Sequence, residues 1–346
     1  MTIVEPTRPI TGGVDTHLDT HVAAAVDANG GLLGVESFPT TTAGLAELHD
    51  WLAGFGVLAR VGVEGTGAYG AGLARHLRGR GVEVIEVDRP NRQARRRAGK
   101  SDTVDAIEAA RGALSGRVAG IAKAADGTDA AMRALVVAKR SARQARIAYL
   151  NQIRHLGFTA PDDLRERFRP VPRAALAATA AGLRPQAGGD PVLYATKLAM
   201  RTLGRRVLAL DHDTNDLDAV LTDLVGATAP SLLEVHGVGV DTAAILLVAA
   251  GDNSERIRTE AAFARLCGAA PTETGSGKTN GRHRLNLGGN RQANHALWRI
   301  AITRMSSDPR TRAYVERRLT EGLSKREIIR CLKRYIAREI YPHLPR

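Results

Sequence analysis

Short apolar runs and helical periodicity alternate along the first 115 residues of the chain. Three apolar runs separated by polar turns occupy residues 12–38 and predict three consecutive strands. Apolar residues at helical spacing over 41–54 predict a helix. The elements predicted next, in chain order, are a strand at 61–64, a helix at 69–79, a strand at 82–87 and a helix from near Ser101. This order predicts an α/β domain with a mixed sheet.

Helical periodicity dominates the middle of the chain. Residues 128–156 and 192–225 predict long helices, and 157–190, rich in Pro, Ala, Gly and Arg, predicts a loop or small insertion. Apolar positions of the second helix alternate steps of four and three. They are Leu203, Val207, Leu210, Leu217, Leu221 and Leu224, with the polar Thr214 among them. This seam indicates a central antiparallel helical coiled coil, although three heptads also fit an ordinary amphipathic helix.

The C-terminal region is predicted to be mostly α-helical. Residues 259–267 and 290–306 predict helices, and Ser324 to Glu327 form a capping box that opens a final helix. Around Gly237-Val238-Gly239 the pattern is that of a helix-hairpin-helix, whose backbone N–H groups at Gly237 and Gly239 can face a phosphate. A plain helix–turn–helix connection fits the same residues. The predicted domains are 1–125, 126–225 (with the loop at 157–190) and 226–346.

The charge of the chain restricts the classes of partner that it can bind. The chain carries a net charge of +13 and has a pI near 10.4, which favours a polyanionic partner, either nucleic acid or an anionic membrane. Residues 278–346 hold 17 Lys and Arg against five Asp and Glu, and 89–100 hold six basic residues and no acid. Because there is no long apolar stretch and no signal-peptide pattern, we expect a cytoplasmic protein and no membrane partner. Two distant cysteines indicate no disulfide framework.

Four acidic residues occur where strands end or helices begin. Asp15 closes the first strand, and Glu64 closes the strand at 61–64. Asp102 and Asp105 are three residues apart, so they share a helix face. Carboxylates placed in this way can converge on a pair of divalent cations for phosphoryl transfer, although each acid alone is also typical of a solvated surface. His17 and His21 flank a turn, so we expect them to be structural or accessory.

A second candidate lies in the basic C-terminal region. Ser276 stands between two glycines, close in sequence to four basic residues: Lys278, Arg282, Arg284 and Arg291. The cations can hold a phosphodiester, and the serine hydroxyl can attack it if a base removes its proton. The pattern also fits an ordinary turn. The ending Gly277-Lys278-Thr279 is like that of a Walker A loop, but Thr272 stands where that motif needs glycine, so we exclude nucleotide hydrolysis.

Three segments together resemble a known family. They are Gly13-Val14-Asp15, Gly62 to Tyr69 and Lys100 to Ala106, and the resemblance continues over Pro271 to Leu297. These segments are similar to the DEDD transposases of bacterial insertion sequences, which are related to the pilin-gene inversion recombinase. The resemblance implies an RNase H-like N-terminal domain, similar to that of the Holliday-junction resolvase RuvC, in which Asp15, Glu64, Asp102 and Asp105 bind Mg²⁺ or Mn²⁺.

The same resemblance implies the function and the partners. Ser276 would be the nucleophile of an RNA-guided, site-specific DNA recombinase that excises and inserts a mobile element. The partners would be donor and target double-stranded DNA, a non-coding bridge RNA and further copies of the chain, as a dimer and as a tetramer in the synaptic complex. The setting would be the bacterial cytoplasm at the nucleoid. The expected nucleic-acid contacts also include Arg92, Arg95, Arg96, Arg97, Lys100 and Ser101.

Two other functions fit part of the pattern. A metal-dependent endonuclease that resolves DNA junctions would use the same four acids with water as the nucleophile. A non-catalytic nucleic-acid-binding protein would keep only the basic surfaces. Loss of activity on Ser276→Ala separates the first from a serine recombinase, and Mg²⁺-dependent strand cleavage separates the second.

Overall fold

The computed structural model describes residues 8–87, 101–116, 120–121, 127–251, 257–273, 283–285 and 288–345. Backbone contacts divide the chain into two compact units. The first comprises Met1–Asp129, Ala249–Asn290 and Ala337–Arg346, and the second comprises Ala130–Val248 and Arg291–Ile336. The division into domains at 125 and 225 stays a prediction.

A mixed sheet forms the centre of the N-terminal part of the first unit. Its strands are β1 (Pro9–Thr16), β2 (Thr20–Val26), β3 (Leu32–Pro39), β4 (Val57–Glu64), β5 (Glu83–Val87) and the two-residue β6 (Gly120–Ile121). Their spatial order is β3-β2-β1-β4-β5-β6. β1, β4 and β5 run parallel, whereas β2, β3 and β6 pair antiparallel with their neighbours. The carboxyl ends of β1, β4 and β5 therefore meet at one edge of the sheet.

Helices cover both faces of this sheet. Leucines of α1 (Thr42–Ala53) and α2 (Ala71–Gly79) pack with Val14, Val61 and Val63 in one core. On the other face, α3 (Asp102–Ser115) packs against β1, β2 and β4. Strands alternate their side chains between the two faces, which is why each strand serves two cores. The architecture confirms the predicted α/β domain with a mixed sheet and is consistent with an RNase H-like fold.

Two long antiparallel helices organise the second unit. They are α4 (Thr128–Thr159) and α7 (Pro191–Thr228), with the short helices α5 (Asp162–Phe168) and α6 (Leu176–Ala181) between them. Arg206 lies over the Tyr149 ring, and Arg146 pairs with Asp211, so the numbering rises along one helix as it falls along the other. Residues 157–190, predicted as a loop or small insertion, are not a simple loop, because α4 continues to Thr159 and α5 and α6 occupy much of the rest.

The seam predicted along α7 does face inward. Each of its seven positions is buried or half-buried, and Val207 and Leu221 are fully buried. Leu210, Thr214 and Leu217, between those two, are only half-buried. The antiparallel helix pair is therefore present, and its supercoiling as a coiled coil stays a prediction.

The C-terminal region is mostly helical, as predicted. Its elements are α8 (Pro230–Glu234), α9 (Val240–Ala250), α10 (Glu260–Leu266), a two-stranded sheet of β7 (Pro271–Glu273) and β8 (His283–Leu285), α11 (Arg291–Ser307), α12 (Pro309–Thr320) and α13 (Lys325–Ile340). The predicted capping box opens α13, since the Ser324 N–H donates to Glu327 Oε2 at 2.8 Å. Helix α12 was not predicted. Among the described helices, none has both the length and the apolar composition that crossing a membrane requires.

Candidate metal centre

Two of the four acidic residues end neighbouring parallel strands. The register of β1 and β4 pairs Val14 with Val63, so Asp15 and Glu64 are the next residues of their strands at the carboxyl edge. Alternation along a strand turns both away from the core of Val14 and Val63, towards the face that α3 covers. The Thr16 hydroxyl donates to the carbonyl oxygen of Glu64 at 2.8 Å and ties the two strand ends together.

Two glycines bring α3 directly onto this face. A Cβ on Gly13 would overlap the backbone nitrogen of Ala110, and a Cβ on Gly62 would overlap the carbonyl oxygen of Ala109. The side of α3 that meets the sheet consists of alanines, all buried: Ala106, Ala109, Ala110 and Ala113. Because no larger side chain separates helix from sheet, the first turn of α3 reaches the edge where Asp15 lies.

The first turn of α3 carries the other two acids. Ser101 is its N-cap, and the Ser101 hydroxyl accepts a hydrogen bond from the Val104 N–H at 3.3 Å. Asp105 is almost fully buried, at 3% exposure, whereas the Asp102 side chain is half-exposed. Acids in the first turn also stabilise the helix through its dipole. The cap therefore fixes the start of the helix that presents both carboxylates.

His17 completes the cluster. Its Nε2 lies 3.2 Å from Asp15 Oδ2 and 3.4 Å from Asp102 Oδ1. That nitrogen is shielded from solvent and has no hydrogen-bond partner within the described part of the chain. One ligand atom from each of Asp15, His17 and Asp102 can be chosen so that all lie within 4.8 Å of one another. His17 is thus placed at the centre of the site, although the sequence favoured only a structural or accessory role for it.

The carboxylates at this edge act on one another. Burial raises the pKa of the Asp15 carboxyl above its ordinary value, the nearby His17 lowers it, and Asp105 and Asp102 raise it further. Negative charges held this close repel each other unless a cation lies between them. The cluster therefore favours a bound cation.

The structure brings some of the four predicted acidic residues closer together than others. Asp15 and Asp102 lie together, and Asp105 is close enough to act on the Asp15 carboxyl. Glu64 lies on the adjacent strand and is half-buried, but its carboxylate is not among the ligand atoms within 4.8 Å. His21 of β2 pairs with Thr16 of β1. Because Thr16 follows Asp15 in its strand, His21 lies on the face of the sheet opposite to Asp15.

The donor set suits a divalent metal ion. Carboxylate oxygens are the ligands that Mg²⁺ and Mn²⁺ take in proteins, and an imidazole nitrogen is a ligand for transition metals. The shielded Nε2 of His17 between two carboxylates has the arrangement that a metal ligand requires. The residues present therefore fit such an ion.

The predicted nucleophile and most of the basic residues lie elsewhere in the chain. Ser276, Lys278 and Arg282 are outside the described residues, in the segment between β7 and β8. Arg284 is on β8, paired with Thr272, and Arg291 is the exposed first residue of α11. The remaining predicted contacts of the first basic block also lie outside the described residues: Arg92, Arg95, Arg96, Arg97 and Lys100.

Two helices and a tight turn, which we call the hairpin, occupy the region where a helix-hairpin-helix is predicted, and its identity as that motif stays a prediction. α8 ends at Glu234 and α9 begins at Val240. Gly237, between them, has φ +81°, a left-handed conformation that glycine adopts without strain. The Gly239 N–H is used within the turn, since it donates to the Thr242 hydroxyl at 3.0 Å. Binding of phosphate by Gly237 and Gly239 stays a prediction.

Two family models match the chain. Residues 12–156 match a transposase model of the DEDD type of IS110, and this segment contains all four acidic residues. Residues 229–316 match the model described as transposase IS116/IS110/IS902 family, and this segment contains Ser276 and the hairpin. The DEDD type indicates use of a divalent metal.

Two relatives come from insertion elements of bacteria. Over 127 residues the chain is 34% identical to the insertion element IS110 uncharacterized 43.6 kDa protein of Streptomyces coelicolor, covering 36% of this chain and 31% of that protein. Over 134 residues it is 28% identical to the insertion element IS900 uncharacterized 42 kDa protein of Mycobacterium paratuberculosis, covering 38% of this chain and 34% of that protein. The match thus spans about a third of each relative's length.

Proposed function

We propose that the chain cuts and rejoins DNA to excise and insert a mobile element, because two of its segments match family models of insertion-sequence transposases. The observation that carries this proposal is the cluster of Asp15, His17 and Asp102 at the carboxyl edge of the sheet, with Asp105 beside it. Strand cleavage at phosphodiesters is the chemistry that such a cluster supports.

The acidic residues would hold the metal. Asp15, Asp102 and Asp105 would supply carboxylate oxygens, and Glu64, at the end of the neighbouring strand, would supply a further one. Mg²⁺, or Mn²⁺ in its place, would withdraw charge from the phosphate and activate the attacking hydroxyl. The chain's own part is to hold the carboxylates, through the glycine-based contact of α3 with the sheet.

Ser276 would be the nucleophile. Its Oγ would form a bond to phosphorus while the bond from phosphorus to one DNA oxygen breaks, so the strand becomes a phosphoserine ester with a free DNA hydroxyl. The serine proton would pass to a carboxylate, and the leaving oxygen would take up a proton. Lys278, Arg282, Arg284 and Arg291 would hold the phosphate and its developing charge. The match of the second family model over residues 229–316 supports this assignment.

The partners of the proposed reaction are nucleic acids and further copies of the chain. Donor and target DNA would be selected by a non-coding bridge RNA, and a dimer or tetramer would bring acidic site and serine together. Support comes from the net charge of +13 and from the two basic blocks. The first block, with Arg92, Arg95, Arg96, Arg97 and Lys100, would contact RNA or DNA phosphates, as would Ser101. The setting would be the bacterial nucleoid.

A denaturing gel tests the proposal. The full chain, its co-purified RNA and both DNAs are incubated with Mg²⁺, and the products are examined after protein denaturation. We expect cleaved strands covalently joined to protein. Ser276→Ala should abolish both cleavage and the covalent product, whereas Ser306→Ala, an exposed serine on α11, should not change them.

A second candidate is the junction endonuclease with a water nucleophile. The carboxylate cluster by itself favours it, because such a cluster can also activate water. Normal cleavage by Ser276→Ala, without a covalent product, would establish this candidate and exclude the serine mechanism. Nucleic-acid binding with no cleavage by the unaltered chain would instead identify a non-catalytic binding protein.

A further inference from the structure

A polar cavity of about 430 Å³ lies beside the hairpin in the second unit. Residues of α4, α7, α9 and α11 line it together with the turn that joins α8 to α9. Three of the lining residues are cationic: Lys139, Arg143 and Arg299. The sequence predicted no role for these three residues, because Lys139 and Arg299 are 160 positions apart and only the fold brings them together.

One carboxylate holds all three cations. Asp241, in the first turn of α9, accepts a hydrogen bond from Lys139 and lies 2.7 Å from Arg143 Nη2 and 3.7 Å from Arg299 Nη1. Lys139 also pairs with Asp218 of α7. The cavity wall therefore carries three positive charges against two negative ones. A surplus of positive charge in a partly enclosed space attracts an anion.

The two arginines retain donors for a ligand. The Lys139 side chain is only 4% exposed and is used by its two carboxylates, whereas those of Arg143 and Arg299 are 43% and 40% exposed. A guanidinium group has five N–H donors, so contact with Asp241 leaves several of them directed elsewhere. Asp241 orients the Arg143 guanidinium by close contact at 2.7 Å and attracts that of Arg299 at 3.7 Å. Oriented guanidinium groups are the usual binders of phosphate oxygens.

The charge states suit this role. Burial raises the pKa of the Asp241 carboxyl, but the hydrogen bonds from Lys139 and Arg143 outweigh it, so the pKa lies below its ordinary value. Asp241 is therefore ionised at neutral pH and keeps the arginines in place.

The backbone of the turn permits close approach. Gly237 and Gly239 both line the cavity, and a Cβ added to Gly239 would meet no atom within 4 Å. The turn is held on α11, because Arg304 Nε donates to the His236 carbonyl oxygen at 2.7 Å. The N-terminal end of α9, with its partial positive charge, faces the same space through Val240 and Asp241. The cavity thus combines fixed cations with an accessible backbone.

We propose that this cavity binds a backbone phosphate of duplex DNA, with Arg143 and Arg299 as the contacting residues and Asp241 as the positioning residue. The proposal rests on the proposed function only in that DNA is the ligand. The competing explanation is that the ion pairs only hold α4, α9 and α11 together.

Binding of duplex DNA over a range of salt concentrations separates these explanations. The full chain with Asp15→Asn is used, so that cleavage does not alter the DNA, and fluorescence anisotropy of a labelled duplex reports affinity. Arg143→Gln and Arg299→Gln should each weaken binding about tenfold and lower the slope of log K against log salt by about one. Arg140→Gln, an exposed arginine one position from Lys139 and outside the cavity lining, is the matched control and should change binding far less.

Two further measurements separate a loss of DNA contacts from a loss of folding. Thermal melting of each variant shows whether it folds, and Arg143→Lys keeps the charge but loses the guanidinium fork, so its affinity should lie between those of Arg143→Gln and the parent. Folded Arg143→Gln and Arg299→Gln variants that bind like Arg140→Gln would overturn the proposal and leave a structural role. Failure of the unaltered chain, with its co-purified RNA present, to bind any DNA would instead overturn the proposed function itself.

Discussion

The sheet edge and the hairpin cavity gather charge of opposite sign. At the edge, Asp15, Asp102 and Asp105 meet one imidazole, that of His17. In the cavity, three cations share the carboxylates of Asp218 and Asp241. Each arrangement has a surplus of charge of one sign, and this surplus supports the ligand that we propose for it: a divalent cation in the first case and a phosphate in the second. A DNA-cleaving enzyme needs both, since the metal acts on the phosphate that reacts and fixed cations hold phosphates that do not.

The largest effect is expected at the acidic site. Asp15→Asn should reduce Mg²⁺-dependent strand cleavage on the order of 1000-fold, because metal contributions to phosphoryl transfer amount to several kcal/mol. DNA affinity should remain, which would show that the two charged regions act separately. A single-turnover cleavage assay measures the loss. Asp19→Asn, an exposed acid in the adjacent turn, serves as the control, and equal losses in both variants would contradict the assignment of Asp15.

The next effect concerns the packing that brings the acids together. Gly13→Ala should lower the free energy of unfolding of the first unit by about 3 kcal/mol, because the added methyl group overlaps the α3 backbone. Mn²⁺ affinity should fall with it. Chemical denaturation and a metal titration provide the two readouts.

Gly72→Ala is the matched control for that packing effect. Gly72 lies in α2, where the nearest atom to an added Cβ is Leu45 Cδ1 at 3.9 Å. A helical glycine replaced by alanine gains up to about 1 kcal/mol in stability. Unchanged stability of Gly13→Ala would mean that α3 does not lie as close to β1 as described.

A smaller effect is expected from His17. If its imidazole is a metal ligand, His17→Ala should weaken Mn²⁺ binding about tenfold and Mg²⁺ binding less, because magnesium prefers oxygen ligands. Electron paramagnetic resonance of bound Mn²⁺ would lose its nitrogen coupling. His155→Ala, an exposed histidine of α4, should leave the spectrum unchanged. A nitrogen coupling that persists in His17→Ala would assign the metal ligand to another residue.

The smallest effect is expected at the start of α3. Ser101→Ala removes the cap and should cost about 1 kcal/mol of unfolding free energy. Ser101→Thr keeps a capping hydroxyl and should restore most of the loss. If Ser101→Ala instead weakens nucleic-acid binding without changing stability, the hydroxyl acts on the ligand and not on the helix.

Much of the sheet region could be predicted because its pattern is local. Alternation of apolar residues and the turn residues between them depend on neighbours in sequence, so β1 to β5 and α1, α2 and α3 were predictable, whereas the two-residue β6 was not predicted. The glycines at 13 and 62 also carry a readable signal, because glycine inside a strand marks close approach of another backbone. Asp15, Asp102 and Asp105 were predictable from their positions at element ends.

Other features depend on contacts that sequence spacing does not contain. The helices α5 and α6 were missed because Leu164, Phe168 and Leu176 are buried in a core with residues of α4 and α7, and this burial outweighs a local composition typical of a loop. The position of His17 beside Asp15 and Asp102 was not predicted, because sequence spacing does not show which residues a turn contacts after folding. The cations of the hairpin cavity come from α4 and α11, so no motif joins them.

The contact of α3 with the sheet is made by backbone against backbone at Gly13 and Gly62. Between most helices and sheets, a layer of side chains can shift its rotamers and absorb a small change elsewhere in the core. Here that layer is missing over the part of the helix next to the acids. The distance between Asp15 and the first turn of α3 is therefore fixed by backbone contact. Glycine is the smallest residue, so any substitution at position 13 or 62 would push the helix away from the sheet.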